Sequence, residues 1–209
     1  MNRQEASLYF RLRVVPCSPA PPNKAMQTDG RFATAADRQG VRRQQLMIES
    51  HNPKEEVLNA CARALSFAPA EYPADLPTRE GLFGAPEWYS FECKAWEIGE
   101  NIRHQLMGKP KVKANTALLG RIISVIQCRN LRRGRQSFVL LMGFKGASGY
   151  ADEIARLLSD PDVNGHALDT LLKMRVAGYA SKVEALLESE HTWIRKKAKT
   201  YLERYPRAA

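Results

Sequence analysis

At 209 residues, with 32 Lys and Arg against 22 Asp and Glu and a pI of 9.6, the chain is basic and long enough to bury one extended core. No apolar run approaches the roughly 18 residues that cross a bilayer, so the expectation is a cytoplasmic protein without membrane contact. The four cysteines, at 17, 61, 93 and 128, form no C-x-x-C pair and share no ligand spacing with His51, His104, His166 or His191, which excludes a disulfide framework and a metal centre; no cofactor is expected.

The first fifty residues carry Pro16, Pro19, Pro21 and Pro22 among polar and small neighbours, and eight Lys or Arg against four acids. Such a segment reads as a disordered basic leader, residues 1–50. Leu8 to Val15 is apolar only between arginines, so it has no h-region of usable length. The run from Pro22 through Met26, Gln27, Thr28 and Asp29 to Ala33 resembles the leader of bacterial proteins encoded beside integron-type cassette boundaries. That resemblance implies that Met47, just before the first good helix signal, is the start of the selected protein.

Residues 51–110 read as N-terminal helices around a Pro-rich connection. Asn52-Pro53-Lys54-Glu55-Glu56 has a cap, a first-turn proline and acids at the positive end of the dipole, so a helix is expected through Val57, Leu58, Cys61 and Leu65. Pro69, Pro73, Pro77 and Pro86 then forbid helix interior from Ala68 to Pro86. This connection is a hinge or, as we favour, packs through Tyr72, Leu76, Leu82, Phe83 and Trp88, because exposed aromatics are costly in a free linker. Phe91 to Met107 is the next amphipathic helix, with Cys93, Trp96, Ile98 and Ile102 on its stripe and Gly108 and Pro110 ending it.

From residue 111 to 205 the chain repeats itself. Gly149-Tyr150-Ala151 through Ile154 to Leu157-Leu158 returns 29 residues later as Gly178-Tyr179-Ala180 through Val183 to Leu186-Leu187. Val163, Ala167 and Leu171 return 31 residues later as Ile194, Ala198 and Leu202. Traced backwards, Ser137 and Leu141 stand 30 residues before Ala167 and Leu171, and Ala117 to Ile126 is apolar enough to be the buried first helix of that unit. Three helix pairs result, since one pair cannot bury its apolar face without a neighbour. Leu158, Leu171, Leu187 and Leu202 are expected in the core.

Asp160-Pro161-Asp162-Val163 with Ala167 and Leu171, and Trp193-Ile194-Arg195 with Ala198 and Leu202, resemble the HEAT-type α-helical repeat. The resemblance covers residues 112–205 and is strongest over the last 57. It implies an all-α fold, a short α-α superhelix or solenoid, and a use in protein binding. It also implies that Arg195 pairs with Asp160 or Asp162. Asn164 departs from the pattern where the first copy wants Arg, and Glu190-His191-Thr192 replaces the acidic turn of the second.

Charge supplies the candidate site. Between Asn101 and Ala151 there is no Asp or Glu, yet Lys and Arg number ten, four of them in Arg129, Arg132, Arg133 and Arg135. A second cluster, Arg195-Lys196-Lys197 and Lys199, falls on the last predicted helix. In a right-handed stack the second helices line the concave side, which would bring both clusters to one groove. The partner-binding candidates are therefore Arg129, Arg132, Arg133, Arg135, Lys196, Lys197 and Lys199. As a binding surface, the four arginines should be exposed and unpaired; Glu92, Glu97, Glu100 or the C-terminal acids neutralising them would count against it. Trp193 reads as a core or capping residue.

Three functions fit these features in descending order. The first is a non-enzymatic scaffold whose groove binds an acidic protein partner. Nucleic-acid binding is the second, on the strength of pI and arginine clustering. A DNA glycosylase of the HEAT-like alkylpurine type is least favoured, since the basic window lacks a carboxylate and the chain has no nucleophile-base pair or phosphate loop.

Overall fold

The computed structural model describes residues 52–72, 76, 78–79 and 88–207. The expectations for the leader, for Met47 and for Leu82 and Phe83 lie outside the described residues. What is described is all-α. A two-residue ladder, β1 (Thr78–Arg79) with β2 (Trp88–Tyr89), is the one exception among the described residues.

Helix α1 (Pro53–Leu65) starts as its sequence predicts, with Asn52 Oδ1 accepting from the Lys54 amide at 3.1 Å and Pro53 in the first turn. It buries Val57, Cys61 and Ala64. Burial pushes the Cys61 thiol up to about 11, so it packs as a small apolar group. Helix α2 (Ser90–Gln105) buries Ile98 and Ile102 of its expected stripe, but its contact face is rotated away from the other two. Cys93 and Trp96 are half-buried, while Glu92, Ala95, Gly99 and Ile102 follow one another at helical spacing in the interior. The reason is close approach: a side chain at Gly99 would collide with Ser137 on the neighbouring helix, so the contact face must centre on small residues.

After the short α3 (Pro110–Lys113) come α4 (Thr116–Gln127), a 3-10 segment Arg129–Arg135 and α5 (Gln136–Leu141). The two repeat copies are then drawn alike. Helix α6 (Ala151–Ala155) tightens into the 3-10 turn Arg156–Ser159, and α8 (Ala180–Glu184) tightens into Ala185–Glu188; their partners are α7 (Asn164–Met174) and α9 (Thr192–Arg204). Helix α7 ends on Arg175 in the left-handed region, and Gly178 at φ 98° makes the turn into α8 that a side chain would strain.

Helices α4 and α5, α6 and α7, and α8 and α9 pack as pairs, and the second helices touch in sequence, α5 on α7 and α7 on α9. The series extends one pair further than the sequence indicates, because α1 packs on α2, α1 on α4 and α2 on α5. All described residues belong to the one unit spanning Glu49–Ala209.

Repeated hydrogen bonds join neighbouring pairs. The hydroxyls of Tyr150 and Tyr179, equivalent residues in the two copies, reach the first turn of the preceding first helix, at Thr116 O (3.5 Å) and Asp152 Oδ1 (2.8 Å). The equivalent residues Thr170 and Tyr201 donate to the backbone before them, at Val139 O and Val176 O, both at 2.9 Å.

The expected core is found at Ser137, Leu141, Leu158, Val163, Ala167, Leu171, Ile194 and Ala198. Leu187 and Leu202 are half-buried instead, and Leu186 and Tyr201 take the interior positions. The last described pair has a neighbour on one side, so the outer half of each leucine stays uncovered.

Candidate partner-binding surface

The expected basic turn is a carboxylate-tied joint. Arg135 is 1% exposed, and its guanidinium donates to Arg132 O at 2.8 Å, to Ile126 O at 3.3 Å and to Asp160 Oδ2 at 2.9 Å. It thereby links the end of α4, its own 3-10 segment and the turn before α7. Asp160 is positioned for this by its own turn, where Oδ1 accepts from the Asp162 amide at 3.1 Å. Glu92 enters from the other side. Fully buried at the third position of α2, it accepts from Tyr89 N at 2.7 Å and from Arg133 N at 3.1 Å, with Arg133 Nε at 3.4 Å.

Arg132 sits between carboxylates and rings. Its Nε lies 3.8 Å from both Glu92 and Asp162, and its guanidinium stands 5.9 Å and 5.4 Å from the Tyr72 and Tyr89 ring centres. Its backbone adopts φ 46°, ψ −127°, a strained conformation for a residue with a side chain. Arg133 lies 5.3 Å from the Trp88 ring centre. The start of the Pro-rich connection is fastened here, because the Tyr72 hydroxyl donates to Asn130 O at 2.6 Å and Asn130 Nδ2 donates to Pro69 O at 2.9 Å. Trp88 thus packs as expected, half-buried against Trp96 and Arg133, whereas Tyr72 is tied down by its hydroxyl and leaves much of its ring exposed.

The expectation of four exposed, unpaired arginines is therefore corrected. Arg132, Arg133 and Arg135 are held by Glu92, Asp160 and Asp162, since the fold brings in acids that lie outside the 101–151 window. Arg129 alone of the four is open: its side chain is 79% exposed, with the nearest carboxylate, Asp160, at 3.9 Å. It lines an open cleft of about 300 Å³ with Gln127, Glu153 and Arg156.

Of the C-terminal candidates, Lys196 and Lys199 are exposed on α9, opposite Ile194 and Ala198. Lys197 turns the other way and donates to Asp169 Oδ1 on α7. Arg195 does not pair with Asp160 or Asp162; its guanidinium donates to Ser189 O and Glu190 O at 2.6 and 2.9 Å, closing its own turn. Arg135 holds the acidic turn in its place.

A different set of cations is gathered across the second helices. Asp169 accepts from Lys173 at 2.8 Å as well as from Lys197, which joins α7 to α9. The Lys173 stem runs beside Gly143, where a Cβ would come within 3.0 Å of its Cδ. Next to Gly143, the Phe144 ring carries the Lys113 ammonium 4.5 Å above its centre. Burial lowers the Lys113 pKa, and the nearby charges of Arg103 and Lys173 lower it further. Arg103, on α2, pairs with Glu100 at 2.6 Å. Lys197, Lys173, Lys113 and Arg103 thus form a strip that crosses α9, α7, α3 and α2.

His166 and Trp193 border that strip, with ring centres 5.6 Å apart and edge to face. Burial drives His166 down to about 4, with Asp169 opposing in part, so the imidazole is neutral at pH 7. Burial pushes Asp169 the other way, but the hydrogen bonds from Lys173 and Lys197 outweigh it and hold the carboxyl below its usual range. The sequence reading missed the strip because residues 103, 113, 173 and 197 share no spacing. The repeat register held a partial signal: His166 and Lys197 stand 31 residues apart, the same position on successive second helices.

Among the described residues, no group of three or more His, Cys, Asp and Glu is arranged to hold a metal ion, and no helix is long and apolar enough to cross a membrane. No protein-family model, curated protein or solved structure matches the chain.

Proposed function

We propose that the chain is a HEAT-like helical-repeat scaffold, a short α-α superhelix without catalytic activity, that binds an acidic segment of another protein. The repeat reading rests on the 29- and 31-residue offsets together with the like contacts of Tyr150 and Tyr179. One observation carries the binding reading: Lys197, Lys173, Lys113 and Arg103, from α9, α7, α3 and α2, are drawn into one strip. Ordinary solvation of lysines does not require such gathering, and like charges repel when brought together. The seven candidates of the sequence analysis reduce to Lys197 within this strip, with Arg129, Lys196 and Lys199 as open cations elsewhere.

A protein segment fits better than a nucleic acid. Glu100 and Asp169 interrupt the positive charge, leaving four cations against two carboxylates, whereas a phosphate backbone calls for a stripe of one sign. The test is fluorescence anisotropy with a labelled twelve-residue peptide of alternating Glu and Ser and, separately, a labelled DNA duplex. Wild type is expected to bind the peptide in a salt-sensitive way and more tightly than the duplex. The variant Arg103→Gln, Lys113→Gln, Lys173→Gln, Lys197→Gln is expected to lose that binding, while its Gln amides still donate to Asp169. Preference for the duplex, or a variant that binds as well as wild type, contradicts the reading.

A further inference from the structure

Trp193 is an unusual residue to leave at the surface. It is 37% exposed, one of three large apolar side chains in the open among the described residues. Of the others, Tyr72 is occupied: its hydroxyl is donated to Asn130 O, and its ring faces Phe91 at 6.1 Å and Arg132 at 5.9 Å. Met107, 70% exposed, lies two residues past the end of α2. Trp193 has no polar duty of this kind. Its six-membered ring lies against Gly165, where any Cβ would collide with it, so the α7 backbone is the floor on which the indole rests. Its edge meets His166, which is uncharged at neutral pH and so keeps that side of the indole apolar.

The position of this ring relative to charge is what matters. Trp193 and Lys197 are four residues apart on α9 and therefore on one face, one turn from each other. Lys197 meets Asp169, which also holds Lys173, and Asp169 is three residues beyond His166 on α7. An apolar platform thus opens directly into the positive strip. Flat aromatic anchors beside cations are the places where binding energy concentrates, because a ring seated there is desolvated while the charged rim fixes register.

Resting on the scaffold reading above, we infer that the acidic segment carries an aromatic residue that seats on Trp193, with carboxylates next to it meeting Lys197 and Lys173. The surface reads an aromatic-plus-acid motif rather than negative charge alone. A DNA or RNA strand also offers rings for stacking, but Asp169 and Glu100 within the strip would repel its phosphates.

Two labelled peptides test this against wild type and Trp193→Ala: the alternating Glu/Ser twelve-mer with a central Phe, and the same peptide with Ala in its place. On wild type the Phe peptide is expected to bind about tenfold or more tightly than the Ala peptide, as burial of one aromatic side chain implies. On Trp193→Ala the two peptides are expected to bind alike, at the level of the Ala peptide on wild type. Circular dichroism checks that the variant folds; should it not, the comparison of the two peptides on wild type decides by itself. Equal binding of both peptides to wild type overturns the inference and leaves the scaffold reading standing. Binding of neither peptide overturns both.

Discussion

The arginine turn and the lysine strip both consist of cations crowded together, yet the fold treats them in opposite ways. At Arg129–Arg135 the chain folds three carboxylates into the crowd, and Arg135 ends 1% exposed. Across α2, α3, α7 and α9 it gathers four cations from distant segments and supplies two acids, with Lys173 and Lys197 sharing Asp169 and both still partly exposed. Density of charge along the sequence is therefore a poor guide to available charge. What counts is whether acids from other pairs arrive at the same place, and guanidinium, with its planar fork, is suited to being held in that way.

If the turn is an internal joint, breaking it should cost the most. Arg135→Ala leaves the buried Asp160 without its hydrogen-bonded cation, with only the exposed Arg129 nearby at 3.9 Å, and is expected to lose about 3–5 kcal/mol of stability, measured by urea unfolding. A loss near zero would return Arg135 to the surface class and erase the contrast. Leu171→Ala, in the centre of the repeat core, is expected to cost about 2–5 kcal/mol as a large-to-small change. Its value sets the scale of an apolar contact against which the joint is compared.

The edge of the strip has its own signature in pH. His166 in the folded chain titrates at about 4, below its ordinary 6.5, so between these values the unfolded chain binds more protons and stability falls as pH drops. The full shift corresponds to about 3 kcal/mol, present above pH 6.5 and lost by pH 4. Asp169, held below 3.8, adds its own loss only at lower pH, so the two windows separate. Thermal melts from pH 7 to 4 should show the decline, and His166→Gln should flatten it. The smallest effect belongs to Lys196→Gln and Lys199→Gln, expected within about 0.5 kcal/mol of wild type and without effect on peptide binding. A binding loss equal to that of the strip variant would place the partner on the outer face of α9.

The repeat was legible in the sequence because it is written in spacing: Val163, Ala167, Ile194 and Ala198 fall in the core where the offset puts them. The terminal leucines were not, since the burial of Leu187 and Leu202 depends on a neighbour absent from one side of the last described pair. The fourth pair was hidden for another reason. Helices α1 and α2 carry no copy of the repeat residues and join the series through shape, with Gly99 against Ser137. The site was harder still. Glu92 stands on the same stripe as Ala95, Gly99 and Ile102, and an acid at such a position signals a buried partner, though nothing local names Arg133 as that partner. The strip required knowing which helices lie side by side.

Side-chain hydrogen exchange of the arginine Nε–H groups, followed by 1H–15N spectroscopy on the unmodified chain, tests the contrast most directly. Arg135, which donates Nε to Arg132 O in the interior, and Arg133, which donates to Glu92, are expected to exchange far more slowly than Arg129, whose side chain stands in solvent. Equal, rapid exchange at all three positions would mean that the arginine turn is open to solvent and would contradict its role as an internal joint.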